Sequence, residues 1–200
     1  MVRGRTDALP QERVEGILDA ALRLLATHGI AGVSMRAVAR EADVGLGLVN
    51  YYYKDKHSLV CAALRRIEEE DVALLDPVEG LGPREQLVAA LRRVAEPEML
   101  TQEYLALRLQ LWSLATAHED FAAINATAHE SYRTRLAELI RAAEPTLTKA
   151  ECRRRAADVD IVQNGVWLSA LLGVDKAAVR RALATTEAIA LAPQPGVGRD

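Results

Sequence analysis

The sequence of 200 residues is half apolar (50%) and about one quarter charged (26%), which is the composition of a globular chain that can bury a large core. Its 25 basic and 28 acidic residues leave a net charge of −3, which argues against a histone-like protein that coats nucleic acid. The two cysteines, Cys61 and Cys152, lie far apart, so we expect neither a disulfide framework nor a zinc site. No apolar run is long enough to span a membrane, and the polar, basic residues 1–7 do not resemble a signal peptide. We therefore expect a cytoplasmic protein that has no membrane partner.

Apolar residues recur at helical spacing along most of the chain. The clearest stripe predicts a first helix that begins near Pro10 and stops at Gly29. That stripe consists of Val14, Ile17, Leu18, Ala21, Leu22 and Leu25. The predicted helices cover about 10–29, 34–41, 45–52, 55–72, 84–95, 101–117, 120–143, 148–173 and 175–191. Side chains suited to cap four of them are Ser34, Asp55, Thr148 and Asp175.

No alternating strand pattern of useful length interrupts these helices, so the predicted fold is all-α with about nine helices. Two prolines and two glycines between residues 76 and 83 predict a linker. We expect five segments: a flexible basic arm (1–10), a three-helix domain (11–56), a connecting helix (57–75), a helical C-terminal domain (84–192) and a mobile tail (193–200).

Residues 34–53 have the spacing of a helix-turn-helix motif. Ala39, Val44 and Val49 can form the contact between two short crossed helices. Asp43 can adopt the left-handed backbone that the turn needs, although less readily than glycine. A motif of this kind projects its second helix into the major groove of DNA. An ordinary two-helix corner of a helical bundle is the alternative interpretation.

The exposed side chains of this motif favour DNA binding. Asn50 can pair with an adenine edge, and leucine side chains can contact thymine methyl groups. The predicted base-facing residues are Gly45, Leu46, Gly47, Leu48 and Asn50. The predicted phosphate-binding residues are Ser34, Arg36, Tyr51 and Lys56, with Arg3 and Arg5 on the flexible arm.

The N-terminal region resembles the TetR family of transcriptional regulators. The residues that carry this resemblance are Ala20-Ala21, His28-Gly29, Ala39, Val44, Gly47, Tyr52 and Lys56-x-x-Leu59. The match is closest to BetI-like members, through residues 49–56, Leu111-Trp112 and residues 164–172. The chain departs from the family pattern at Asp43, where many relatives have glycine, and at Asn50, where many have tyrosine. Its second short helix is also unusually apolar at Gly45 and Leu46.

The resemblance implies that residues 11–56 form a DNA-binding domain and residues 84–192 a ligand-sensing and dimerisation domain. It also implies that the last two helices form a homodimer interface. Residues 161–172 are apolar on almost every face, as expected of a helix buried on both sides. Small residues form a stripe on the last helix at Ala178, Ala182, Thr186 and Ala190. A self-contained bundle with one central helix is the alternative.

The resemblance further implies an effector pocket among the C-terminal helices, although no motif identifies the effector. Aromatic side chains could surround an organic cation. The candidate residues are Tyr104, Trp112 and Trp167, with Glu103 and Gln110 as polar partners. Aromatic residues on amphipathic helices can equally belong to the core.

No pattern in the sequence indicates catalysis or a cofactor. His118 and His129 are too distant on one helix to share a metal ion, and Gly45-x-Gly47 lacks the rest of a phosphate-binding loop. We therefore expect a transcriptional regulator, most simply a repressor that an effector releases from a palindromic operator. A helical small-molecule carrier or a protein–protein adaptor without DNA binding is the alternative.

Overall fold

The computed structural model describes residues 10–173 and 175–192. Within those residues the chain forms nine α-helices and one 3₁₀ turn, without a β-strand. The helices are α1 (Pro10–Gly32), α2 (Met35–Glu41), α3 (Leu46–Tyr52), α4 (Lys56–Ala73), α5 (Pro83–Arg93), α6 (Gln102–Ala117), α7 (Glu119–Ala143), α8 (Lys149–Leu171) and α9 (Lys176–Leu191). The all-α prediction is confirmed. None of the described helices has the length and apolar character that crossing a membrane requires.

Four helices begin at the side chains predicted to cap them. The hydroxyl of Ser34 accepts a hydrogen bond from the Ala37 amide (3.1 Å), and the hydroxyl of Thr148 accepts one from the Glu151 amide (3.1 Å). Asp175 accepts from the Ala178 amide in the same way (3.2 Å). Each bond satisfies one of the amide groups that the first turn of a helix leaves without a partner.

The cap of α4 is reciprocal. The Asp55 carboxylate accepts from the Ser58 amide (2.8 Å), while the Ser58 hydroxyl lies 3.1 Å from the Asp55 amide that donates to it. Hydrogen bonds from the Ser58 amide and side chain lower the pKa of the Asp55 carboxyl, because they stabilise its charged form. The start of α4 is thus set by local chemistry that the sequence displays.

Most helix boundaries differ from the prediction by at most two residues, and two features differ in kind. Gly29 does interrupt α1, with φ 63° and ψ −172°, but a further helical turn follows as far as Gly32. The second difference is a 3₁₀ turn at Pro97–Leu100, which was not predicted because four residues are too few to show a periodicity.

The chain divides into two compact units. One contains the residues up to Ile67 together with Ala106–Asn125, and the other contains Glu68–Leu105 together with the residues from Ala126 onward. Helices α4, α6 and α7 each supply residues to both units. The arm (1–10) and the tail (193–200) of the predicted scheme fall outside the described residues, except for Pro10.

The core of the first unit contains the predicted stripe of α1. Its fully or almost fully buried residues are Ile17, Leu18, Ala21, Leu22 and Leu25. Helix α4 adds Leu59, Val60 and Leu64 to the buried residues of this unit. Burial of one such large aliphatic side chain contributes about 1.5–3 kcal/mol.

The second unit has two apolar clusters, one around Leu91, Leu136 and Ile140 and the other around Val94, Leu105 and Trp167. The buried guanidinium of Arg155 donates to the carbonyl oxygens of Ala190 (3.2 Å) and Ala192 (2.7 Å). Because the last carbonyl groups of a helix lack intrahelical donors, Arg155 provides the C-terminal cap of α9.

Candidate functional site

Helices α2 and α3 form a tight elbow in the first unit. Asp43 adopts the predicted left-handed backbone (φ 53°), and the Val44 amide donates to the Ala39 carbonyl oxygen (2.9 Å). Ala39 and Val49 are buried, at 4% and 0% exposure. Val44 was expected to complete this core but is only partly buried, because it belongs to the turn and not to either helix.

The outer face of α3 lies at the surface of the described chain. Gly45, Gly47 and Asn50 are exposed, and Tyr51 is 79% exposed. The Tyr51 ring meets the Tyr52 ring edge to face, with centroids 5.1 Å apart. Leu46 and Leu48 are partly buried and flank this face. The predicted base-facing residues therefore form one accessible surface.

The predicted phosphate-binding residues differ in how the protein holds them. Arg36 is exposed, and the Ser34 hydroxyl is exposed while it caps α2. Lys56 is partly buried, and its ammonium group donates to the Ile30 carbonyl oxygen (2.5 Å). Lys56 thus has a structural role at the end of α1 that the sequence did not predict. Arg3 and Arg5 lie outside the described residues.

Two of the predicted pocket residues meet in the second unit. The Tyr104 hydroxyl donates to the Asp71 carboxylate, and the Tyr104 ring meets the Trp167 ring edge to face at 5.7 Å. The Trp167 indole N–H donates to the Val94 carbonyl oxygen (3.2 Å). Trp167 and Asp71 are both 6% exposed. This group combines aromatic faces with a buried acidic side chain.

The other predicted pocket residues lie elsewhere. Glu103 is exposed. Gln110 and Trp112 belong to the first unit, where the Gln110 side chain lies 3.4 Å from the place that a β-carbon on Gly29 would occupy. The Arg108 guanidinium lies 5.7 Å from the centre of the Trp112 ring. Of the five predicted pocket residues, Tyr104 and Trp167 are thus two that the structure places in direct contact.

The sequence did not predict that Asp71 is buried beside Tyr104, because Asp71 ends an acidic run, Glu68 to Asp71, that is typical of a solvent-exposed helix face. The position of Asp71 relative to the apolar residues of α4 could have indicated its burial. Asp71 follows the buried residues Leu64 and Ile67 by seven and four positions, which is the periodicity of the buried face of α4.

A second polar group lies one helical turn before Trp167 on α8. The Tyr132 hydroxyl donates to the Gln163 side-chain oxygen (2.7 Å), and the Gln163 amide nitrogen is buried without an acceptor in the described structure. Burial, reinforced by the nearby Asp160 charge, raises the pKa of Tyr132 far above its ordinary value. The Gln163 amide is therefore a buried donor that an oxygen atom of a bound molecule could satisfy.

Asp160 ties α8 to α7 through a buried network. Its carboxylate accepts hydrogen bonds from Arg133 (2.6 Å) and Asn164 (2.9 Å), and His129 Nδ1 lies 3.2 Å away. Burial alone would raise the pKa of Asp160, but the hydrogen bonds and charges of His129 and Arg133 outweigh burial and lower it. Among the described residues, no three His, Cys, Asp or Glu side chains are arranged to hold a metal ion.

One face of α8 presents apolar side chains to solvent. Ile161 is 63% exposed, Leu168 39% and Leu172, just beyond the helix, 73%. Gly165 lies on the same face, and a β-carbon added there would have no neighbour within 4 Å. On α9, two of the four residues of the predicted small-residue stripe, Thr186 and Ala190, are completely buried within their own chain, whereas Ala178 and Ala182 are partly buried. The second half of this stripe therefore packs inside the protomer.

The N-terminal and the C-terminal regions of the chain each match a known protein family. Residues 17–63 match the family described as bacterial regulatory proteins, tetR family, and residues 83–192 match the BetI-type transcriptional repressor, C-terminal family. An HTH-type regulator in the dhlA 5' region of Xanthobacter autotrophicus is 33% identical over 111 residues, 54% of this chain and 55% of that protein. BetI of Paraburkholderia phymatum is 27% identical over 173 residues, 83% of this chain and 87% of that protein.

The alignment with the Xanthobacter regulator thus spans about half of that relative, and an alignment with BetI of Agrobacterium fabrum likewise covers 53% of it, at 32% identity over 54% of this chain. Among solved structures, a regulator from Pseudomonas aeruginosa PAO1 superposes with a TM-score of 0.78 at 25% identity, over 92% of this chain and 91% of that one. A regulator from Saccharomonospora viridis in complex with choline shares the fold, with a TM-score of 0.67 at 22% identity over 88% and 94% of the two chains. Since the BetI-type match alone covers more than half of the sequence, the chain belongs to the TetR family of bacterial transcriptional regulators.

Proposed function

We propose that this protein is a homodimeric transcriptional repressor that binds a palindromic operator and leaves it when a small molecule binds. The observation that carries the proposal is the exposed face of α3, in a motif whose inner residues Ala39 and Val49 are buried. A surface of this kind on a helix-turn-helix fits the major groove of DNA. A repressor of this kind acts on the chromosome and so in the cytoplasm.

The proposed DNA interface combines base contacts from α3 with phosphate contacts around it. Asn50 and the partly exposed leucines would meet base edges, and Tyr51 would reach the backbone. Ser34, Arg36 and Lys56 would add phosphate contacts, although Lys56 shares its ammonium group with Ile30. The net negative charge is compatible with this role, because only the face that meets the duplex needs cations.

The exposed apolar face of α8 supports a dimer in which two copies of α8 cross. Ile161, Leu168 and Leu172 would lose contact with water, and Gly165 would allow the two helix backbones to approach closely. A two-fold axis places two copies of α3 to meet two half-sites one turn of DNA apart. This arrangement is the reason to expect a palindromic operator.

The group around Tyr104 supports an organic cation as the effector. A buried carboxylate and aromatic faces attract a positive charge that carries little hydration, as in a quaternary ammonium. The Gln163 amide, one turn from Trp167, could bind an oxygen atom of the same molecule. The Saccharomonospora viridis regulator was solved with choline, so choline is the first compound to test.

DNase footprinting on the DNA upstream of the protein's own gene tests the proposal. A repressor protects a near-palindrome, and its affinity falls steeply with salt because bound phosphates release counterions. Choline should weaken that protection, and by linkage the operator should weaken choline binding by the same factor. A carrier or an adaptor would protect no DNA at any salt concentration, and that result would reject the proposal.

A further inference from the structure

Gly47 occupies the centre of the exposed face of α3. On a helix with 3.6 residues per turn, Asn50 lies about 60° to one side of Gly47 and Tyr51 about 40° to the other, whereas the buried Val49 lies about 160° away. Gly47, Asn50 and Tyr51 are all exposed. The middle of the proposed DNA-facing surface is therefore bare backbone between two polar side chains.

The fold of the protein does not require glycine at this position. Gly47 lies within a regular helix and is not among the residues with positive φ. A β-carbon added to it would meet no atom within 4 Å. Alanine would fit and would favour the helix, since glycine is among the weakest helix formers. The space at Gly47 is thus open toward whatever α3 binds.

Asn50 needs such close approach to contact a base. Its side chain is short, so its amide reaches the floor of the major groove only if the helix backbone comes near the base edges. Once there, an asparagine amide can form two hydrogen bonds with N6 and N7 of adenine, a pattern that no other base offers in the major groove. Leu46 and Leu48 flank this face and offer only apolar contacts.

We propose that Gly47 brings α3 close enough to the duplex for Asn50 to select an adenine in each operator half-site, which makes Asn50 the specificity-determining residue of this repressor. This inference rests on the proposed DNA binding. In addition to DNA binding, base discrimination would come from the side-chain amide of Asn50, next to the glycine at position 47. Helix α3 has no charged side chain that could share this role.

The test begins with selection of binding sequences from a random double-stranded DNA library by the full-length protein. Each selected half-site should contain one invariant A·T pair, and its replacement by G·C should weaken binding about tenfold. Asn50→Ala should remove that discrimination at this position alone. Asn50→Gln should not restore it, because the longer side chain does not fit the close approach.

Gly47→Ala separates DNA contact from folding. It should raise the melting temperature by about 2–4 °C, as expected for a better helix former in a chain of this size, yet weaken operator binding about tenfold. Gly16→Ala in α1 is the matched control, since a β-carbon there also has no neighbour within 4 Å. It should raise the melting temperature and leave operator affinity unchanged.

The outcomes distinguish this inference from the function on which it rests. If the library yields no enriched sequence, both fail. If sequences are enriched but carry no invariant A·T pair, or if Asn50→Ala discriminates like the wild type, DNA binding stands and Asn50 is not the determinant. If Gly47→Ala binds as tightly as the Gly16→Ala control, the close approach at Gly47 is rejected.

Discussion

The ammonium nitrogen of Lys56 lies 2.5 Å from the carbonyl oxygen of Ile30, so the first residue of α4 is bonded to the last turn of α1. The Ile30 carbonyl follows the break at Gly29. A cation at the C-terminal end of a helix also interacts favourably with the helix dipole. Lys56 can therefore hold the DNA-binding helices together and contact a phosphate with its remaining donors.

Replacing Lys56 should affect both folding and DNA binding. Lys56→Ala should lower the free energy of unfolding by about 1 kcal/mol through the lost hydrogen bond. It should also weaken binding to all DNA sequences alike and reduce the slope of log K against log salt by about one. Lys54→Ala is the control, because Lys54 is exposed two residues away. An unchanged slope for Lys56→Ala would show that Lys56 makes no phosphate contact.

The turn of the elbow should prefer glycine to alanine at residue 43. Both Asp43→Gly and Asp43→Ala remove the same side-chain interactions, so the difference between them reports the backbone alone. Because φ is 53° there, the alanine variant should be less stable than the glycine variant by about 1 kcal/mol. Chemical denaturation measures this difference. Equal stabilities would mean that the turn has a different backbone in solution.

The dimer proposal predicts that a charge on the exposed face of α8 yields monomers. Ile161→Lys should shift the sedimentation mass at micromolar concentration from two chains to one, because a buried charge without a partner opposes association. Leu109→Lys on α6 is the control, since Leu109 is also a large exposed apolar residue, at 42% exposure. A monomeric wild type, or a dimeric Ile161→Lys variant, would argue against the α8 interface.

The two tryptophans provide a matched test of the effector site. Trp167→Phe should weaken choline binding about tenfold in calorimetric titration, because it reduces the aromatic face beside Tyr104 and removes the hydrogen bond to Val94. Trp112→Phe should leave choline binding unchanged, since Trp112 lies eight residues beyond Tyr104 on α6, about 12 Å along the helix. Thermal melts check that both variants are folded. Similar losses in both variants would refute the proposed location.

The Asp160 network should make stability depend on acid pH. The pKa of Asp160 is lowered in the folded protein, so its contribution to stability is present above the pKa of the unfolded chain, about 4, and is lost as the pH falls through the folded-state pKa. Wild-type stability should therefore fall more steeply below pH 4 than that of Asp160→Asn. Parallel pH profiles of the two proteins would mean that the carboxylate gains nothing from Arg133 and His129.

The sequence was most informative where a side chain forms a hydrogen bond with the backbone a few residues away. Ser34, Asp55, Thr148 and Asp175 cap helices through bonds that span three residues, so these helix starts could be predicted. The left-handed turn at Asp43 was predictable for the same reason. The TetR resemblance added the expected order of functions along the chain.

Contacts between distant segments could not be predicted from spacing. The Lys56–Ile30 bond joins residues 26 positions apart, and the Tyr104–Asp71 bond joins residues 33 positions apart. The inward orientation of Thr186 and Ala190 depends on how α9 packs in the second unit, since small residues suit either a partner chain or the same chain. Such choices are made by tertiary packing.

Photo-crosslinking from position 51 shows whether the exposed face of α3 lies against the operator. A photoreactive phenylalanine analogue replaces Tyr51, which is 79% exposed, and a second variant carries it in place of Leu109. Each variant is irradiated while it is bound to the operator DNA that footprinting of the wild-type protein has identified. Crosslinks to DNA are expected from position 51 within each half-site, and none from position 109. Operator binding without any crosslink from position 51 would mean that a surface other than the outer face of α3 binds the DNA.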